Sequence, residues 1–326
     1  MARPAPGDRR GRGRAPGQLR VGKPKPPMSD WNSDQIAWAA HIACLLEVCA
    51  DKPGNVTWGK EFWDTRFVDF MISAVAIGPA LRAAPAAPVG ETILRAVQDT
   101  RRFVHTNTNL GMILLLAPLA KEAGREPPHP EGLRAGVSDV LRTLTVDDAR
   151  RTFEAIRLAA PGGLGRADRY DVQRVEADVD VTLLEAMRTA QQRDAVAREY
   201  VTDFEITFQV GCAALRRFWA EGRSFSDAVV QTALVILSQV PDTLIARKEG
   251  PAVADQVSRQ ARQVLETGGV FSTAGREALR RFDHAIRDEH HRLNPGTTAD
   301  LVAASLFVFL TEGGGLDRFP DLIARW

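Results

Sequence analysis

The sequence predicts an all-α fold, on three observations. Apolar residues recur at helical spacing in nearly every segment from Ser33 onward. Alternating β-branched runs joined by hairpin turns do not occur. The breaks, at residues 50–59, 84–90, 124–132, 161–170, 240–250, 268–272 and 294–296, are rich in Gly, Pro or Asp, and none resembles a long interdomain linker. We expect one globular domain over residues 28–326, with about ten helices and a pocket at helix ends.

Residues 1–27 stand apart. They hold eight Lys or Arg against one acid, with six prolines and five glycines, so a disordered basic tail is expected. A nucleic-acid or membrane arm would look like this. Met28 opens M-S-D-W just before the first amphipathic pattern, so a start placed too far upstream explains the tail as well, and that reading is adopted. The remainder carries 34 bases against 40 acids, a formal charge of about −6, which gives the folded body no general attraction to nucleic acid. No apolar run approaches the roughly 20 residues of a membrane span. Cys44, Cys49 and Cys212, an odd number without C-x-x-C spacing, fit reduced thiols in a cytoplasm and offer neither a disulfide framework nor a zinc site.

Along the chain, the helix expected over 34–49 is apolar nearly all round and therefore buried, yet it contains Glu47. Glu47 continues the row Ile36, Ala40, Ala43, whose mainly small side chains would let a ligand or another backbone come close. A buried carboxylate needs either an Arg partner from a neighbouring helix or a role in a site. The loop D-K-P-G-N-V-T follows, in which Lys52, the Pro53-Gly54 turn and Asn55 offer a cation and free N–H groups. That combination suits a phosphorylated ligand, and it also makes an ordinary turn.

The next helix carries Asp64 at its start and Asp69 inside F-V-D-F-M-I-S-A-V-A-I. Asp64 or Thr65 would serve as its N-cap, whereas Asp69 amid apolar neighbours has no such explanation. In H-T-N-T-N-L-G-M-I-L-L-L, Thr106, Asn107, Thr108 and Asn109 bring more donors and acceptors than one cap uses, which suggests a ligand. Helix starts are also expected at Asn32 with Gln35, Thr145 with Asp148, and Ser224 before Asp227. Asp242 and Thr243 follow Pro241 and precede Arg247, as ligand groups or as a cap with a surface Arg. Finally L-N-P-G-T-T-A-D-L places Thr297 or Thr298 to cap the last long helix and Asp300 near the positive end of its dipole. Five polar clusters at the mouths of buried helices point to one pocket built from several helix ends.

The histidines contribute less. His290 and His291 are adjacent, about 100° apart on a helix, so they make no chelating pair and are expected at the surface with His284. Gly162, Gly163 and Gly165 lack the preceding strand and the spacing of a nucleotide-binding fingerprint.

Taken in order, L-L-E-V-C-A-D-K-P-G-N-V, the acidic apolar helix from Asp64 through Ala74, N-T-N-L-G, D-T-L-I-A-R-K-E-G and L-N-P-G-T-T-A-D-L make the sequence similar to the triphosphoribosyl-dephospho-coenzyme A synthase family across residues 37–310. Two departures stand out. Where the family usually reads Asn-Thr-His-Lys-Gly, this chain has Asn109 and Leu110 in place of His and Lys, and a Gly-Ala-Arg-Gly-Glu type segment is altered at residues 162–172. The chain thereby resembles the divergent branch of archaea and methylotrophic bacteria.

The resemblance implies an enzyme that binds ATP, displaces adenine from the ribose C1′ by a hydroxyl of dephospho-CoA or a related acceptor, and keeps the triphosphate intact. Such glycosyl transfer passes through an oxocarbenium-like transition state and needs a carboxylate, help for the departing base and cations on the triphosphate. Carried onto this sequence, Glu47 and Asp64, with Asp69, are the catalytic acids, and Lys52 and Arg247 hold phosphates. Asn107 and Asn109 orient ribose or base, and Asp242 and Asp300 bind Mg²⁺. Pro53, Gly54, Asn55, Thr108, Thr243, Asn294, Gly296, Thr297 and Thr298 complete the expected substrate contacts. Other readings are a transferase acting on an acceptor of one-carbon cofactor biosynthesis (tetrahydromethanopterin or methanofuran), an N-glycosidic hydrolase with water as acceptor, and a non-catalytic helical binding protein. The sequence leaves the oligomeric state open.

Overall fold

The structure, a computed structural model, describes residues 32–161, 179–312 and 319–326. The basic tail with Met28, the three glycines Gly162, Gly163 and Gly165, and the altered segment at 162–172 lie outside the described residues.

Among the described residues there is no strand, and a single bridge joins Thr57 to Lys60. The first half holds α1 (Ser33–Cys49), α2 (Phe67–Ala76), α3 (Gly78–Ala83), α4 (Val89–Arg101), α5 (Leu110–Ala123), α6 (Leu133–Arg142) and α7 (Val146–Ala159). There follow α8 (Leu183–Ala190), α9 (Ala195–Val201), a π-helical segment (Ile206–Cys212), α10 (Ala213–Ala220) and α11 (Phe225–Gln239). The chain ends with α12 (Thr243–Glu249), α13 (Pro251–Glu266), α14 (Thr273–Ile286), α15 (Gly296–Glu312) and α16 (Phe319–Ala324). The helices form the expected single all-α domain, though they are shorter and more numerous than the periodicity suggests. Pro79, at the start of α3, cannot donate to the preceding turn and so separates α2 from α3.

At the centre lies α15, whose residues from Leu301 to Leu310 are all buried, as a helix apolar on every face must be. It packs against α1, α5, α11 and the π-helical segment. Small side chains make these approaches possible: Ala39, Ala40 and Ala43 of α1 are fully buried, and a Cβ on Gly211 would lie 1.9 Å from Ser305 Oγ of α15. The start of the π-helical segment is held by Glu199, whose two carboxyl oxygens accept the N–H groups of Ile206 and Thr207 at 2.8 Å each. Burial pushes Glu199 up to about 7, against the pull of those bonds, so this acid serves the fold.

A second apolar cluster, including Leu237, Ile245, Val257 and Phe282, ties α11 to α12, α13 and α14. The expected starts are present: capping boxes at Asn32 with Gln35 and at Thr145 with Asp148, and Ser224 accepting from Asp227 N. Among the described residues no single helix is long and apolar enough to cross a membrane.

Candidate active site

The C-terminal end of α1 and the N-terminal ends of α5, α12 and α15 open onto one cleft of about 520 Å³, within the range of small-molecule sites. Glu47, Asp64, Asp194 and Asp300 bring acids to its lining, and Arg247 and Lys248 bring cations.

Glu47 is 2% exposed, and its partner is not an Arg of another helix. The chain turns back after α1 so that Lys52 Nζ lies 2.8 Å from Glu47 Oε1, and it also donates to the carbonyls of Glu47 and Ala50. Lys52 is 1% exposed and does not line the cleft, so the expected phosphate contact is corrected to a buried clamp on Glu47. Burial raises the Glu47 pKa, and Lys52 works against that rise.

Asp300 reaches the same space from α15. Among the described residues its carboxylate has no hydrogen-bond partner, and burial, then the charges of Glu47, Asp242 and Asp194, push its pKa well up, with Arg247 opposing. It rests on Gly111 at the first turn of α5, where a Cβ would lie 2.0 Å from Asp300 Oδ2. Gly111→Ala is therefore expected to displace this carboxylate at a cost of about 1–3 kcal/mol. Thermal melts should register the change.

The other expected metal ligand, Asp242, does not fit that role. It is 1% exposed and does not line the cleft. Its Oδ1 accepts from Leu244 N (2.9 Å) and Ile245 N (3.2 Å), and its Oδ2 from Thr298 N (2.7 Å) and Thr298 Oγ1 (2.8 Å). One carboxylate thus caps α12 and α15 together, and Thr297 and Thr298, which lie inside α15, are not its cap. Asp242→Ala should lower stability by on the order of 2–4 kcal/mol. The loss in melting temperature should be the same in Mg²⁺ and in EDTA, which a metal ligand would not give.

Asp69 is likewise a structural acid: its Oδ2 accepts from Arg66 N at 2.8 Å, closing the start of α2, and it does not line the cleft. The expected cap at Asp64 or Thr65 is absent because α2 begins at Phe67. Asp64 instead faces the cleft, 3.6 Å from His291 Nε2. His291 is no surface residue. Its ring stacks on Phe62 with centroids 3.6 Å apart, and burial lowers its pKa against the pull of Asp64. His290 and His284 are both exposed as expected, and His290 also borders the cleft.

Two loops are tied together at the rim. Asn55 Nδ2 donates to Asn294 Oδ1 (2.8 Å) and Pro295 O (3.2 Å), and Asn55, Asn294 and Gly296 line the cleft. Pro53 and Gly54 lie behind it. Gly54 has φ +73°, donates to Asp283 Oδ1 at 2.7 Å, and has no room for a Cβ beside Ile286 and Pro295. Thr297 lines the cleft and accepts from Leu244 N and Thr243 Oγ1, while Thr243 and Thr298 do not line it.

This geometry can be set beside known proteins. The sequence profile of the ATP:dephospho-CoA triphosphoribosyl transferase family matches residues 33–318. The chain belongs to this family. A protein of Klebsiella pneumoniae named 2-(5''-triphosphoribosyl)-3'-dephosphocoenzyme-A synthase is 37% identical over 93 residues, 28% of this chain and 30% of that one. A Pseudomonas fluorescens protein, described as a candidate for the same activity, is 30% identical over 208 residues, 64% of this chain and 62% of its own. The matches thus span less than two thirds of these relatives. A crystal structure described as a candidate triphosphoribosyl-dephospho-CoA synthase from Archaeoglobus fulgidus is similar with a TM-score of 0.56 and 28% identity, covering 74% of this chain and 98% of that one.

Within the triphosphoribosyl transferase family, the departure at N-T-N-L-G has a physical reading here. Asn109 is buried and donates to Ser73 O (3.4 Å) and Thr100 Oγ1 (3.3 Å), and Leu110 is buried at the start of α5. Thr108 Oγ1 meets Ser73 Oγ at 2.6 Å, and Asn107 Oδ1 caps Leu110 N at 3.1 Å. All four line the cleft, yet the side-chain polar groups of Asn107, Thr108 and Asn109 are engaged by the start of α5, by Ser73 of α2 and by Thr100 of α4. Thr106 Oγ1 is different: it lines the cleft, buried and, among the described residues, without a hydrogen bond. Sequence reasoning singled out Thr106 within the H-T-N-T-N cluster but missed Asp194, Lys248, His105 and Gly111 as site residues. Gly111, Lys248 and His105 lie within the quoted stretches N-T-N-L-G, D-T-L-I-A-R-K-E-G and H-T-N-T-N-L-G, whereas Asp194 left no signal.

Proposed function

We propose that the cleft transfers the triphosphoribosyl group of ATP to a hydroxyl of dephospho-CoA. The observation that carries this reading is the meeting of Glu47, clamped by Lys52, with the open carboxylate of Asp300 at the junction of α1, α5 and α15. The attacking hydroxyl forms the new bond to C1′ and passes its proton to Glu47, whose raised pKa makes it a better acceptor. The C1′–N9 bond breaks and the electron pair leaves with adenine, which takes a proton. Negative charge from the acids stabilises the oxocarbenium-like transition state. Arg247 and Lys248 face the triphosphate, and Thr106 and Asn107 lie where ribose or base can be oriented.

For Mg²⁺, Asp300 fits and Asp242 does not: the first has a carboxylate on the cleft with no partner among the described residues, the second has both oxygens engaged by helix N-termini. Mg²⁺ keeps waters and binds through one or two carboxylates plus substrate phosphates, so Asp300 with the triphosphate is a sufficient donor set. When bound, the ion neutralises triphosphate charge. The free cysteines Cys44, Cys49 and Cys212 fit a cytoplasmic setting.

The test is adenine release from Mg-ATP with and without dephospho-CoA. Release that requires dephospho-CoA supports the proposal. Equal release without any acceptor would assign hydrolysis instead, and release that requires only a pterin or methanofuran precursor would reassign the acceptor.

A further inference from the structure

A second cavity, of about 670 Å³, backs onto the cleft. The partition between them is the start of α9 and the short helix α12, and neighbouring residues on it face opposite ways. Asp194 and Val196 line the cleft while Ala195 lines the second cavity, and Leu244 and Lys248 line the cleft while Thr243 and Ala246 line the second cavity. Arg247 lines both.

The second cavity is basic. Arg193, Arg198 and Arg247 line it against one acid, Asp255, among its described lining residues. Among the described residues the Arg193 guanidinium has no hydrogen bond or ion pair, and Arg198 has a loose, half-exposed pair with Glu205 at 3.3 Å. Arg247 is held in the partition by Asp194 Oδ2 at 2.8 Å, yet its Nε is buried without a partner among the described residues. A buried guanidinium N–H without an acceptor is costly unless a ligand supplies one.

We infer that this second cavity binds a phosphate- or diphosphate-bearing ligand, and that in the transfer reaction the ligand is the acceptor, whose diphosphate sits on Arg193 and Arg198 while its hydroxyl is presented past Arg247 to the cleft. The acceptor part rests on the proposed function. A two-substrate transfer between phosphorylated molecules needs two separate anion sites, and forked guanidinium donors match phosphate oxygens. The cleft carries four acids and suits a reacting ribose. The second cavity, with its arginines, suits an anion that does not react.

The experiment uses the full chain and the double variant Arg193→Ala/Arg198→Ala, two exposed positions whose truncation leaves the core intact. Calorimetric titrations are made with inorganic pyrophosphate in the presence of saturating ATP, with dephospho-CoA, and with ATP alone. The variant is expected to weaken pyrophosphate and dephospho-CoA at least roughly 10-fold while ATP affinity changes by less than about 2-fold. The KM for the acceptor should rise with kcat little changed. Unchanged pyrophosphate and dephospho-CoA binding, or equal weakening of ATP, would overturn the inference. Pyrophosphate binding lost in the variant, together with no dephospho-CoA binding to the wild type, would support the anion site and overturn dephospho-CoA as the acceptor.

Discussion

Glu47→Gln is expected to lower adenine release by at least roughly 10²-fold, the low end for a positioned acid or base. It is also expected to destabilise the protein, because Lys52 stays buried with its ammonium facing an amide in place of a carboxylate. Removing one partner of a buried pair costs about 3–5 kcal/mol. The single variant alone therefore does not separate a catalyst from half of an ion pair. Adding Lys52→Met removes the stranded charge, so Glu47→Gln/Lys52→Met should recover most of the lost melting temperature and none of the lost activity. A double variant that regains adenine release along with stability would reduce Glu47 to a structural role.

Asp300→Asn is expected to remove the Mg²⁺-dependent part of ATP affinity and to lower adenine release by at least roughly 10²-fold. In EDTA its melting temperature should equal or exceed that of the wild type, since an unpaired carboxylate beside Glu47 is itself destabilising. The pH dependence fixes the sign. The Asp300 pKa is raised in the folded state, so its contribution to stability is fully present below the unfolded value, about 3.9, and is lost as pH rises through the folded value. The advantage of the variant in EDTA should accordingly shrink as pH falls toward 4. A wild type that is more stable than the variant at neutral pH, or ATP affinity that is equally Mg²⁺-dependent in both, would contradict this account.

Much of the fold was legible because helical periodicity and capping are local: the Asn32, Thr145 and Ser224 starts follow from three or four residues each. The site was legible only in part. Glu47 and Asp300 stand out as acids in apolar helices, and both face the cleft. Asp69 and Asp242 look the same in sequence, yet their oxygens are engaged by backbone N–H groups, those of Thr298 lying 56 positions away from Asp242. Residue type does not reveal which lone pairs remain open. Lys52 was misplaced because the turn that folds it back onto Glu47 is a matter of three dimensions. Asp194 and His291 were missed for the same reason, since their partners Arg247 and Asp64 come from distant segments.

Attack at the ribose C1′, with the triphosphate left intact, is the central claim, and the fate of a label on the γ-phosphate of ATP tests it most directly. With Mg²⁺ and dephospho-CoA, the label is predicted to appear in an adduct of dephospho-CoA, one for each adenine released, and neither free phosphate nor pyrophosphate should carry it. Label recovered as phosphate or pyrophosphate while the adduct lacks it would place the attack at phosphorus and contradict the assignment of Glu47 and Asp300 to glycosyl transfer.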